Sequence, residues 1–152
     1  MLYLDASALV KRYLREPGSD EVNHLFQRGE KLFTSVLSYA EVYAAVSRKF
    51  HNKEISRTVF ERSRKGFLED YMFALHTLEL DVGTLAAVPS LTERHPIRGA
   101  DAVQLSSVLW LRDMMQLVPS FIDDENRLEF VTADERLAVF SREAGLTVSV
   151  PR

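Results

Sequence analysis

The stretch ADAVQLSSVLWLRDMM, residues 100–115, decides the fold. Wound into a helix, it carries Val103, Leu105, Val108, Leu109 and Leu111 around much of its surface instead of along one stripe. A helix apolar over so wide an arc is buried against a sheet and against neighbouring helices. The flanking sequence supplies that sheet. Short apolar runs at 2–4, 32–35, 77–80, 128–132 and 147–150 read as strands. Between them lie helical patterns at 6–15, 20–28, 39–50, 55–75, 82–91 and 135–143. Pro17-Gly18 stops the first, Gly29 ends the second and Gly145 caps the last. Val42, Ala45, Val46 and Phe50 share a face, and Val59, Phe60, Phe67, Leu68 and Tyr71 are expected core contacts. Strands separated by helices pair in parallel. The expected architecture is therefore a three-layer α/β/α domain with a central parallel sheet of about five strands. Residues 1–152 are expected to form that one domain.

Composition narrows the chemistry. At 46% apolar and 27% charged, the 152 residues have the make-up of a globular protein. The absence of cysteine excludes disulfides, thiolate zinc sites and cysteine nucleophiles. A net charge of −3 offers no global attraction to a polyanion, so nucleic acid would have to be held locally. No apolar run approaches the roughly 18 residues of a membrane helix. Met1-Leu2-Tyr3-Leu4-Asp5 lacks the basic start of a signal peptide, and a cytoplasmic setting is expected.

Four acids recur at one kind of place. Asp5 and Asp134 follow strands, Glu41 lies in the first turn of the helix after the second strand, and Asp101 opens the apolar helix. In a parallel sheet all strands point their C-terminal ends to one edge, where ligands bind. Each acid also has a purely structural explanation. Asp5 suits an N-cap, and Ser38-Tyr39-Ala40-Glu41 and Thr132-Ala133-Asp134-Glu135 match capping boxes. Jointly they are harder to dismiss. Two carboxylates about 4 Å apart repel by about 4 kcal/mol at an effective dielectric near 20, against about 1 kcal/mol for a cap. Either the acids stay apart, a pKa rises, or a divalent cation neutralises them, and oxygen ligands alone favour Mg²⁺ or Mn²⁺.

These segments resemble the PIN domain, and within it the VapC-type toxin ribonucleases. The resemblance rests on Leu4-Asp5-Ala6-Ser7-Ala8-Leu9, Ser38-Tyr39-Ala40-Glu41-Val42, Gly99-Ala100-Asp101-Ala102-Val103-Gln104-Leu105 and Val131-Thr132-Ala133-Asp134-Glu135-Arg136-Leu137. Ala144-Gly145-Leu146-Thr147-Val148 fits its ending. The resemblance implies a Mg²⁺- or Mn²⁺-dependent endoribonuclease whose products carry a 5′-phosphate and a 3′-hydroxyl. It implies Asp5, Glu41 and Asp101 as inner catalytic and metal-binding acids, with Asp134 completing the set partly through water. Ser7 and Thr132 would orient carboxylates. It also implies an RNA substrate, a small antitoxin partner whose tail wraps the toxin, and a homodimer. A non-catalytic PIN module binding RNA or protein is the alternative. A phosphatase or receiver-like domain with Asp5 as nucleophile lacks the second Asp and the Lys of that pattern.

His24, His51, His76 and His95 are scattered without ligand spacing, which suits a nuclease that needs no imidazole. Lys11, Arg12, Arg15 and Arg98 are candidate RNA contacts. The basic residues Arg48, Lys49, Lys53, Arg57, Arg62, Arg64 and Lys65 read equally as a phosphate wall or a solvated helix face. Residues 118–127 make a junction longer than usual for the family. It reads as a surface loop, or as acids reaching the metal, or as a partner contact through Phe121 and Ile122.

Overall fold

The structure is a computed structural model and describes residues 1–118 and 127–152. Its layering starts from three residues. In β1 (Leu2–Leu4) every side chain is buried, and alternation sends Leu2 and Leu4 to one face and Tyr3 to the other. Leu2 and Leu4 join a core with α1 (Ala6–Tyr13), α2 (Ser19–Leu25), α3 (Leu37–His51) and α4 (Arg57–Phe73). Tyr3 joins a second core with α5 (Val88–Arg94), α6 (Gly99–Gln116) and α7 (Glu135–Glu143). A strand apolar on both faces needs a layer on each side, which gives the α/β/α sandwich.

The sheet is completed by β2 (Leu32–Ser35), β3 (Leu75–Leu78), β4 (Glu129–Val131) and β5 (Thr147–Ser149). The five strands are parallel in the order β3-β2-β1-β4-β5. The chain first winds outward from β1 through β2 to β3, then returns to place β4 on the other side of β1. Strand order reverses at β1, where a doubly wound sheet opens its crevice. The widely apolar helix is α6, with Ala102, Leu105, Val108 and Leu111 buried.

Several boundaries depart from the sequence pattern. The third strand is two residues earlier than residues 77–80, because Leu75 to Leu78 pair in register with Leu32 to Ser35. That pairing ends α4 at Phe73, and Leu68 on its outer side is exposed. The expected helix at 82–91 begins only at Val88. Asp81 and Thr84 exchange bonds, Thr84 N–H to Asp81 Oδ1 and Asp81 N–H to Thr84 Oγ1, both 2.9 Å, and close a turn. Pro89 then sits in the first helical turn, where its missing N–H costs nothing. Gly145 does terminate α7, with φ 83°. Leu146 N–H bonds the Ser141 carbonyl and Gly145 N–H that of Arg142, the paired bonds of a Schellman ending.

Candidate active site

Asp5 leaves β1 as the N-cap of α1, its Oδ1 accepting the Ala8 N–H at 2.8 Å. Capping is only part of its bonding. Ser7 Oγ lies 2.8 and 2.9 Å from its two oxygens, and Thr132 Oγ1 donates to Oδ2 at 2.8 Å. Ser7 Oγ also accepts the Ala133 N–H, and Thr132 Oγ1 accepts the Asp134 N–H. These hydroxyls lash the end of β1 to the end of β4. The carboxylate is almost completely buried, and that burial, with some help from the Glu41 charge, pushes its pKa up to about 6 despite the three donors.

The capping box expected at Ser38 and Glu41 is not formed. The helix starts earlier, at Leu37, which puts Ser38 inside it and buries its hydroxyl. Glu41 instead accepts from Gln104 Nε2 at 2.7 Å, across the sheet edge from α6. Partial burial and the charge of Asp101 raise its pKa, against that hydrogen bond.

Asp134, not Thr132, caps α7: its Oδ1 takes the Arg136 and Leu137 N–H groups at 2.8 and 3.0 Å. Asp101 lies in the first turn of α6. Its pKa is raised by burial and by Asp134, and held back by Arg98 and Arg136. A cavity of about 70 Å³ lies between these groups, lined by Arg98, Asp101, Asp134 and Arg136 with Leu137 and Phe140 beneath. The four acids thus form a run of electrostatic neighbours, Asp5 to Glu41 to Asp101 to Asp134.

Of the cationic candidates, Arg98 stands beside the acids. The other three lie at the far end of α1 or beyond it, roughly 10 Å along the helix from Asp5. Lys11 bonds the Pro17 carbonyl, Arg12 pairs with Asp70, and Arg15 pairs with Asp20. In the basic stretch, Lys49, Arg57 and Lys65 pair with Glu16, Glu61 and Glu69, and Arg64 lies over Tyr43 and Phe60. His95 stacks on Phe140 beside Glu143. Within the loop 118–127, residues 119–126 lie outside the described residues.

The sequence reading passed over Gln104, Tyr3 and Arg136. Gln104 carried a usable signal, being an amide in the middle of the most apolar helix. Arg136 had none beyond its nearness to Asp134.

As the side chains lie, no three carboxylates or imidazoles among the described residues make a ready ligand set. The acids are linked pairs. Their donor atoms are all oxygen, and the pKa values of Asp5, Glu41 and Asp101 are raised, first by burial and then by the charge of the next acid in the run. A hard divalent cation fits both properties.

A doubly wound parallel sheet with acids gathered at its C-terminal edge defines an α/β domain built around an oxygen-lined crevice. The PIN domain family model matches residues 2–143, and the chain belongs to that family. Its curated relatives include Ribonuclease VapC45 and Ribonuclease VapC49, from two strains of Mycobacterium tuberculosis. Each is 32% identical over 113 residues, 74% of this chain and 78% of the relative. The same fold occurs in the crystal structure of VapBC2 from Rickettsia felis bound to a DNA fragment from its promoter, with TM-score 0.62 and 15% identity. It occurs also in FitAcB from Neisseria gonorrhoeae, with TM-score 0.66 and 14% identity. Both alignments cover 99% of this chain and 98% of the other.

Proposed function

We propose that this chain is a metal-dependent endoribonuclease, the toxin of a toxin–antitoxin pair, hydrolysing RNA phosphodiesters in the cytoplasm with Mg²⁺ or Mn²⁺. The observation that carries the reading is the joining of Asp5, Glu41, Asp101 and Asp134 at one sheet edge, the first three with raised pKa values. The ribonuclease names of the two curated relatives support it. Asp5, Glu41 and Asp101 would hold the cation directly and Asp134 partly through water. When bound, the cation lowers the pKa of a water, polarises the phosphate and stabilises the departing 3′ oxygen. Ser7 and Thr132 hold the Asp5 carboxylate in one orientation. Arg98 and Arg136 flank Asp101, Arg136 with its Nη2 bonded to the Pro96 carbonyl at 3.0 Å, and their guanidinium groups would meet a phosphate beside the acids. A small antitoxin and a second copy of the chain are the partners the family implies.

The test is cleavage of RNA by the purified chain with and without EDTA, beside Asp5→Asn, Glu41→Gln and Asp101→Asn. Each substitution and EDTA abolish cleavage with the fold retained. Cleavage that survives both overturns the proposal. The grouping of the acids as linked pairs favours the second reading, a non-catalytic PIN module that binds RNA or protein. Calorimetry without any Mn²⁺ or Mg²⁺ binding selects it.

A further inference from the structure

A buried chain of hydrogen bonds runs beneath Glu41. Tyr3 is wholly buried, and its phenol, neutral at pH 7, donates to Gln104 Oε1 at 2.9 Å. That bond decides which way the Gln104 amide faces. With Oε1 turned to the phenol, Nε2 meets Ser38 Oγ at 2.9 Å and Glu41 Oε2 at 2.7 Å. Two N–H protons meet two acceptors. Thr34 Oγ1 lies 2.8 Å from both the Leu4 carbonyl and Ser38 Oγ. Its single proton serves the carbonyl, which cannot donate, so the contact with Ser38 carries the proton of Ser38. Read this way, each hydroxyl donates once and the chain closes on Leu4, the residue before Asp5.

A glutamine at 2% exposure in the most apolar helix is costly unless every polar atom is satisfied, and here every one is. A leucine of similar volume would fill the core equally well. What leucine cannot do is hold the Glu41 carboxylate. We propose that Gln104, locked by Tyr3 and Ser38, is a positioning residue that presents Glu41 to the divalent cation shared with Asp5 and Asp101. This inference rests on Glu41 being a metal ligand, as argued above. The free glutamate has three torsions to immobilise, and the amide fixes them before the cation arrives.

The experiment is Mn²⁺ calorimetry on the full metal-free chain, with RNA cleavage against Mn²⁺ concentration and a thermal melt for each variant. Gln104→Leu weakens Mn²⁺ binding about 10- to 100-fold, the usual loss when a ligand's hydrogen-bond partner is removed. Cleavage at saturating Mn²⁺ falls much less than the midpoint shifts, an outcome that partial unfolding does not produce. Tyr3→Phe frees the amide to turn and weakens binding by a smaller factor. In a Glu41→Gln background, Gln104→Leu has no further effect on Mn²⁺ binding. A folded Gln104→Leu chain that binds Mn²⁺ like the wild type, while Glu41→Gln does not, overturns the positioning role and leaves the site intact. If Gln104→Leu does not fold, wild-type Mn²⁺ affinity in Tyr3→Phe overturns it. Wild-type Mn²⁺ affinity in Glu41→Gln removes Glu41 from the ligand set and the inference with it.

Discussion

Asp5→Asn separates a site carboxylate from a mere cap, because the two roles predict stability changes of opposite sign. Asp5 is 4% exposed, and burial is the largest influence lifting its carboxyl from 3.8 to about 6. Below about pH 4 the folded and unfolded chains both hold the proton, and the group contributes nothing to stability. Between about pH 4 and 6 the folded chain holds more protons than the unfolded one, so stability falls as pH rises. Above about pH 6 both forms are ionised and the whole cost stands, about 3 kcal/mol for a rise of some two pKa units. The favourable dipole at the start of α1 opposes it by about 0.3–1 kcal/mol. The net is about 2 kcal/mol in favour of a neutral side chain.

Asparagine fits without orphaning a partner. Its Oδ1 keeps the Ala8 N–H and the Ser7 hydroxyl. Its amide nitrogen takes the place of Oδ2 and donates to Thr132 Oγ1, which has a second lone pair beside the one used by the Asp134 N–H, and the Thr132 proton turns to Ser7 Oγ, 3.3 Å away. Urea denaturation in EDTA is the assay. The two chains match near pH 4. At pH 8 Asp5→Asn is more stable by about 2 kcal/mol, a midpoint shift of about 1 M urea. Added Mn²⁺ stabilises the wild type and not the variant, while RNA cleavage is lost. A residue serving only as cap would give an asparagine variant equal or slightly weaker at pH 8. Asp5→Asn less stable than the wild type at pH 8 in EDTA refutes the reasoning.

Other substitutions probe the surroundings. Thr132→Val removes the donor to Asp5 and the acceptor of the Asp134 N–H, and costs about 1–3 kcal/mol by urea titration at pH 8. Arg12→Leu breaks the 2.9 Å pair with Asp70, the bond to Asn23 and the contact over Phe26, and lowers stability by about 1–3 kcal/mol. Its RNA affinity, measured by fluorescence anisotropy, stays that of the parent. Arg98→Ala and Arg136→Ala, each in the non-cleaving Asp5→Asn background, weaken RNA binding. Each lowers the slope of log affinity against log salt by about 0.7, the value for one phosphate contact on a single strand.

Local chemistry was legible in the residues themselves. The strands Leu2–Leu4 and Leu32–Ser35 and the helix Glu135–Glu143 stand where apolar period and turn residues place them. The alternation of strands with helices, and the apolar girth of α6, were enough for a parallel sheet covered on both faces. Asp5 and Asp134 are marked by their position after strands, Glu41 by the helical turn that follows one and Asp101 by the start of a helix. Where local pattern failed, a partner distant in the chain had decided. Leu75 belongs to β3 because Leu32 pairs with it.

The tertiary structure decided which groups meet. Nothing local says that β4 lies against β1, yet that pairing brings Thr132 to Asp5 across 127 positions. Nor does it say that Gln104 reaches Glu41, 63 positions away, in place of the expected capping box. Hydrophobic period and capping are set by neighbours a few residues apart, so one strand of text carries them. Burial, and the pKa shifts and hydrogen bonds that follow from it, depend on what packs alongside, and only strand order settles that.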